Sequence, residues 1–321
     1  MDWSEPLRRW IENYYASNLL SAAAKPLERT CSVVARRLRT HIRKNGVRFS
    51  LPNGEVLRLG RDSGISLASA LFWGGLDSFE PATCSTLRFF FSRVGWFVDV
   101  GANYGFYSLL AAHWNPRIQV VAFEPVPQIF DALKRNIELN AVENRVSAYP
   151  TALSDQNGTA TLFVPVSQGL DYESTASLAR ESWQERKGSP TISVPVIAFD
   201  DFERQHPLKV DLVKIDVEDH EASVLRGMQS TIRRDRPFIV CEVLARAHRN
   251  EKTREMIEAL GYTAYWITSA GYIRVSRFDF DRVASEDFLL SPVTNPAEIV
   301  TDLEVLWAER ELRSSRDDHA P

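Results

Sequence analysis

Asp99-Val100-Gly101-Ala102-Asn103-Tyr104-Gly105 is the stretch on which the fold turns. It closes a short apolar run at 94–100 and opens onto a segment, 104–112, whose apolar spacing predicts a helix. A strand passing through glycines into a helix starts a βαβ unit. Gly101 and Gly105 let the backbone turn tightly and approach a ligand with no Cβ in the way. The helix that follows aims free N–H groups at that ligand. The glycine spacing is looser than GxGxxG, which argues against a pyrophosphate cradle and so against a nicotinamide dehydrogenase.

Outward from this turn the alternation continues. Residues 119–123 read as a second strand, followed by a helix with Pro127 near its first turn and Ile129, Phe130, Leu133 and Ile137 on one face. A third strand is expected at 145–153 and a fourth at 211–216, the latter leading into a helix with Val224, Leu225 and Met228. A fifth is expected at 238–243. Strands alternating with helices imply right-handed crossovers and a mostly parallel sheet with helices on both faces. Such a sheet binds its ligand at the carboxyl ends of the strands. Asp99, Glu124, Asp216 and Glu242 stand at strand ends and are expected to converge on one edge.

Between the third and fourth strands, 160–166 and 192–199 read as strands joined by a polar segment at 167–190, either a cover over the site or a disordered loop. Upstream, 47–51 and 55–59 alternate on either side of Pro52-Asn53-Gly54, which predicts a hairpin. The first 45 residues read as helical, with Arg36, Arg37, Arg39, Arg43 and Lys44 close together as a solvated helix face rather than, as the less favoured alternative, an anion-binding patch. Residues 1–75 are therefore expected to be a helical and hairpin extension, 76–308 the main unit, and 309–321 a frayed charged tail.

Composition narrows the class. The chain has 321 residues, 44% hydrophobic and 25% charged, which is ordinary for a globular protein and excludes a fibrous or wholly disordered one. A net charge of −4 gives no electrostatic reason to expect nucleic acid or an anionic membrane as partner. Three cysteines, Cys31, Cys84 and Cys241, are widely spaced and form no CxxC pair, which fits a reducing cytoplasm rather than a disulfide framework. No apolar run is long enough to span a bilayer, and the N-terminus lacks the pattern of a signal peptide.

Four motifs in order carry a resemblance. Asp99 to Gly105, then Phe123-Glu124-Pro125, then Ala152-Leu153-Ser154-Asp155 with Gly158, and finally Lys214-Ile215-Asp216-Val217-Glu218 with Glu221 and Val224-Leu225-Arg226-Gly227, look like the FkbM-type S-adenosylmethionine-dependent methyltransferases. Asp287-Phe288-Leu289 is similar to that family's closing strand. The resemblance implies a Rossmann-like class I methyltransferase sheet: seven strands in the order 3-2-1-4-5-7-6, mostly parallel, the last pairing antiparallel. It also implies S-adenosyl-L-methionine as cofactor, with Asp99, Gly101, Ala102, Asn103 and Gly105 around its methionine portion. Glu124 would take the ribose hydroxyls, and Asp155 would either meet the adenine or serve as a turn residue. Glu80 and Thr83 stand ahead of the first motif and would touch the cofactor's amino-acid end or cap a helix at 83–91. One departure is Asp219, where the family commonly has glycine; a positive φ there would carry a cost.

Methyl transfer from a sulfonium is an in-line displacement, so the protein mainly aligns the acceptor, and a hydroxyl acceptor also needs a base. Asp216, at the end of the fourth strand, is the first candidate for positioning or base work. Lys214, two residues earlier, shares its face. His220 is a second candidate base or else a surface histidine, and Glu242 a candidate for the acceptor hydroxyl. Asp216, His220 and Glu242 gathering a divalent metal is the less favoured alternative, since no HExxH or close ligand pair is present. By resemblance the acceptor is a small molecule or carbohydrate, most readily a sugar, glycan or polyketide hydroxyl. N-methylation and a non-catalytic binding module are the alternatives.

Overall fold

The computed structural model describes residues 46–163, 191–244, 250–269, 271–275 and 285–292. The expected N-terminal helices and their basic face, the polar segment at 167–190 and the charged tail lie outside the described residues.

A hairpin opens the described chain. Strands β1 (Val47–Ser50) and β2 (Val56–Leu59) pair antiparallel, Val47 opposite Leu59. Helix α1 (Ile65–Gly74), a short 3-10 turn (Leu76–Ser78) and α2 (Pro81–Phe91) lead into β3 (Trp96–Val100). Then follow α3 (Phe106–Trp114), β4 (Gln119–Phe123), α4 (Pro127–Leu139) and β5 (Val146–Tyr149). Three strands, β6 (Ala152–Ser154), β7 (Gly158–Phe163) and β8 (Thr191–Ala198), precede α5 (Phe199–Gln205) and β9 (Leu212–Ile215). The chain goes on through α6 (Glu221–Gly227), α7 (Gln229–Asp235), β10 (Phe238–Leu244) and α8 (Asn250–Ala259). Strands β11 (Thr263–Thr268), β12 (Gly271–Val275) and β13 (Ser285–Ser291) complete it.

The main sheet has the order β12-β11-β13-β10-β9-β3-β4-β5. From β10 to β5 every pairing is parallel, while β13 runs antiparallel to both β10 and β11. Seven of the strands reproduce the expected class I order, and β12 adds an eighth by folding back on β11 as a hairpin.

Period-two alternation distributes the strands' side chains between two cores. Phe97, Val120, Leu212, Val240 and Leu289 face the core shared with α2, α3 and α4. Their neighbours Val98, Val121, Val213, Ile239 and Phe288 face the other core, with Phe202 of α5, Val224 and Leu225 of α6, and Ile232 of α7. Each large apolar side chain fully removed from water contributes roughly 1.5–3 kcal/mol. The hairpin belongs to the first core, since Val47, Leu57 and Leu59 are buried in it. Asn140, the C-cap residue of α4, closes the hairpin's edge: its Oδ1 accepts from Arg58 N at 2.9 Å and its Nδ2 donates to Arg58 O at 2.7 Å.

Three expectations from the sequence are corrected. The single third strand at 145–153 is two strands in two sheets, β5 beside β4 and β6 beside β8. Pro150 lies between them and has no N–H to continue the ladder. Of the strands expected at 160–166 and 192–199, the described parts pair as β7 and β8, with Phe199 starting α5 instead, and with β6 they make a three-stranded sheet of their own, order β6-β8-β7; residues 164–166 lie outside the described residues. The helix expected from 104 begins at Phe106, because Asn103 and Gly105 hold positive φ, 51° and 83°, which no helix accommodates. Among the described residues no helix is long and apolar enough to cross a membrane.

Candidate active site

The turn after β3 is fixed from three sides. Gly101 N and Ala102 N both donate to Phe123 O, at 3.0 and 2.9 Å, latching the turn to the end of β4. Asp216 N donates to Val100 O at 3.0 Å, bringing in the end of β9. At Gly101 the packing is so close that a Cβ would lie 1.9 Å from Asp216 O. Glu124, 5% exposed, ties down the rest: its two oxygens accept from Asn103 N and Val126 N, both at 2.9 Å. Burial pushes its carboxyl up to about 7, although those two N–H groups favour the charged form. Asp99 is buried beneath the turn, its carboxylate accepting from Ser108 Oγ of α3 at 2.6 Å. Burial raises its titration, against the pull of Lys214.

Strand parity gathers the other charges. Asp99 shares a face with Phe97, Lys214 with Leu212, Glu242 with Val240 and Asp287 with Leu289, so all four point to the side covered by α2 and α3. Lys214 is 3% exposed, and its Nζ lies 2.6 Å from Asp216 Oδ2. It also sits 4.9 Å from the centroid of the Tyr107 ring. The Tyr107 hydroxyl donates to Glu80 Oε2 at 2.7 Å. Thr83 Oγ1 donates to the carboxylate of Asp287, which lies opposite Glu242 across the β10–β13 pair.

These acids do not ionise alike. Burial and the charge of Asp216 push Glu242 far above the ordinary carboxylate range, which favours its protonated form, a donor for Asp216. Burial also pushes at Asp216, but the Lys214 ammonium and the Glu242 hydrogen bond bring it net below its usual value. Burial raises Glu80 and Asp287 too, with Lys214 pulling both back. Lys214 is kept charged against its own burial by Asp216 and Glu80. The arrangement is a carboxylate, Asp216, charged and oriented between a lysine and a carboxylic acid.

His220 stands in a separate group. Its Nε2 lies 3.0 Å from Ser154 Oγ, and Ser154 Oγ in turn is 3.3 Å from Asp155 Oδ1. Arg226 Nε donates to Asp155 Oδ2 at 2.9 Å. Burial lowers the His220 titration, so the ring is neutral near pH 7. On Asp155 burial pushes the carboxyl up, but the hydrogen bond and charge of Arg226 together outweigh it and hold the carboxyl below its usual range. The structure thus brings Asp216 and Glu242 together and sets His220 and Asp155 beside β6 and α6, among residues of the second core. Asp219 adopts φ 79 after Glu218 at φ 52, the left-handed backbone that the sequence comparison with glycine anticipates. Asp219 N finds Glu221 Oε1 at 3.0 Å.

Tyr107, Ser108, Asp287 and Glu221 complete the site's hydrogen bonding without having stood out as site residues in the sequence. Asp287 carried a usable signal, an acid at the start of the apolar run Phe288-Leu289-Leu290; Tyr107 and Ser108 carried none beyond their place in the first turn of α3. Among the described residues no group of three or more His, Cys, Asp or Glu has the arrangement to hold a metal ion.

The Methyltransferase FkbM domain model matches residues 99–273. The chain is similar to Methyltransferase sdnD of Sordaria araneosa, 30% identical over 185 residues that cover 51% of this chain and 70% of that protein. It is similar to the hexuronic acid methyltransferase AglP of Haloferax volcanii, 30% identical over 162 residues, 50% of this chain and 61% of the relative. The 31-O-demethyl-FK506 methyltransferase FkbM of Streptomyces tacrolimicus is 28% identical over 203 residues, 56% of this chain and 74% of that protein.

Proposed function

Because this chain belongs to the Methyltransferase FkbM domain family, we propose that it methylates a hydroxyl group, on a sugar, glycan or polyketide-type acceptor, with S-adenosyl-L-methionine as donor. The observation that carries the oxygen-acceptor reading is the Asp216–Glu242–Lys214 arrangement at the ends of β9 and β10. Two relatives lend it support by name, one a 31-O-demethyl-FK506 methyltransferase and one a hexuronic acid methyltransferase.

The residues present fit the cofactor. Asn103 Oδ1 is buried with no hydrogen-bond partner among the described residues, an acceptor left for a donor such as an ammonium. Glu80, Asp99 and Glu124 surround the turn with carboxyls that burial holds above their usual range, and a nearby positive charge would favour their ionised forms. Asn103, Glu80 and Asp99 would hold the methionine portion and Glu124 the ribose. When bound, the cofactor supplies a methyl group already activated on a cationic sulfur.

The chain's own residues then have one task each. Asp216, charged and 25% exposed, orients the acceptor hydroxyl and takes its proton as the new bond forms. Glu242 holds Asp216 in place by donating to it, and Lys214 keeps it ionised at neutral pH. Asp216→Asn keeps the shape and removes the base, so turnover should fall by roughly 10²–10⁴-fold, with cofactor affinity changing far less. The assay is transfer of labelled methyl to a panel of neutral sugars, polyols and amines. Normal turnover by the variant on a hydroxyl acceptor defeats the assignment, and preference for an amine with undiminished rate would establish N-methylation instead.

A further inference from the structure

We propose that Tyr107 is a positioning residue of this site, its phenol holding the Glu80 carboxylate toward the cationic end of the cofactor. The inference rests on the cofactor reading above and deepens it. Glu80 stands at the N-terminal cap of α2 with φ 39 and ψ 60, and its side chain does not cap that helix. A non-glycine residue keeps a left-handed backbone only where its surroundings over-determine it. A carboxylate at a helix start ordinarily accepts from the first-turn N–H groups; Glu80 instead accepts from Tyr107 OH at 2.7 Å.

The phenol is itself pinned. The Lys214 ammonium lies 4.9 Å from its ring centroid, and the Phe106 and Phe79 rings lie 5.0 and 6.4 Å away. Lys214 in turn holds Asp216 at 2.6 Å. One side chain therefore spans the acid at the start of α2 and the lysine that charges the acid after β9. The groups facing Glu80 are Tyr107 and Lys214, which favour its charged form, and Asp216 and Asp287, which oppose it. Burial keeps the phenol protonated, and so a donor, across the whole neutral range.

The test is calorimetric binding of S-adenosylmethionine, without acceptor, from about pH 6 to 9, on the wild type, Tyr107→Phe, Glu80→Gln and the double variant. Phenylalanine keeps the ring against Lys214 and removes only the donor. Tyr107→Phe should bind roughly tenfold more weakly at neutral pH, as expected for loss of a hydrogen bond to a charged group. Its loss of affinity on the acid side should also begin at a higher pH than in the wild type. In the Glu80→Gln background the same change should alter affinity by less than about twofold. An equal effect in both backgrounds, or a lowered melting temperature with unchanged affinity, overturns the proposal. Failure of the wild type to bind at all overturns the cofactor reading and this proposal with it.

Discussion

Replacing Gly101 with alanine tests how tightly the two halves of the site are locked. The residue sits at φ +79, where an L side chain is strained by about 1–2 kcal/mol. The larger effect is steric. An added Cβ would meet Asp216 O at 1.9 Å and Asp216 C at 3.0 Å, both backbone atoms that no rotamer change can move aside. Relief requires β3's turn and the end of β9 to part by an ångström or more, against the bonds from Asp216 N to Val100 O and from Gly101 N to Phe123 O, each 3.0 Å. Overpacking of this kind costs about 1–3 kcal/mol and a weakened hydrogen bond about 1 kcal/mol. The sum is about 3–6 kcal/mol, a large share of the roughly 5–15 kcal/mol that holds a domain folded.

Gly54→Ala supplies the control. Gly54 has φ +88 with nothing within 4 Å of the added Cβ, so only the backbone strain applies. Urea unfolding of both variants should place Gly101→Ala several kcal/mol below Gly54→Ala, and cofactor affinity should collapse in the first alone. Equal midpoints for the two variants would show that the close approach of Asp216 to the turn does not exist.

Three further outcomes follow from the same contacts. Lys214→Met should destabilise the chain by about 3–5 kcal/mol near pH 8, since it strands a buried acid without its cation; the loss should shrink near pH 5.5 as the stranded carboxyls take up protons, and an unfolding series without that convergence would count against the cluster. Glu221 is 3% exposed and burial lifts its carboxyl to about 8 from an ordinary 4.5, so the folded chain holds a proton there that the unfolded chain gives up. Stability should then fall as pH rises between those values, and Glu221→Gln, which keeps the acceptor for Asp219 N, should remove up to about 5 kcal/mol of that fall; an unchanged slope refutes the assignment. Asn136→Ala removes the acceptor of Gly60 N at 2.7 Å and the donor to Tyr104 O at 2.8 Å, and should cost about 3 kcal/mol by leaving buried backbone groups unpaired; a loss under about 1 kcal/mol in thermal unfolding would mean that the hairpin is not anchored there.

Much of this is legible in the sequence alone, and the reason is periodicity. Short apolar runs ending in acids located β3, β4, β9 and β10, and their convergence on one edge follows from parallel pairing alone. The split at Pro150 is also written in the sequence, since a proline inside a nine-residue strand breaks its ladder. The three-stranded sheet was not, because pairing β6 with β8 joins segments about forty residues apart whose patterns name no partner. Tyr107 and Ser108 were invisible for a different reason: a polar residue in the first turn of a helix is ordinary, and only its neighbours make it part of a site.

Parity also explains why the acids of the motif after β9 divided as they did. Lys214 lies within the strand, so its face is set by Leu212 two residues before it, and the ammonium reaches Asp216 on that same side. Past the strand end alternation no longer applies. Glu218 and Asp219 take φ 52 and φ 79 in succession, and two left-handed residues reverse the chain before α6 begins. His220 therefore emerges against Ser154 of β6, and Glu221 is buried among residues of the second core. Only three residues separate Asp216 from His220 in the sequence, but the reversal gives them different neighbours and different charge states. A base shared between them would need a loop without that backbone, and so Asp219→Gly, which removes the strain and keeps the turn, should leave the Asp216-dependent rate unchanged. If instead the rate rises or falls together with a His220→Asn variant, the two residues act as one unit and the division drawn here is wrong.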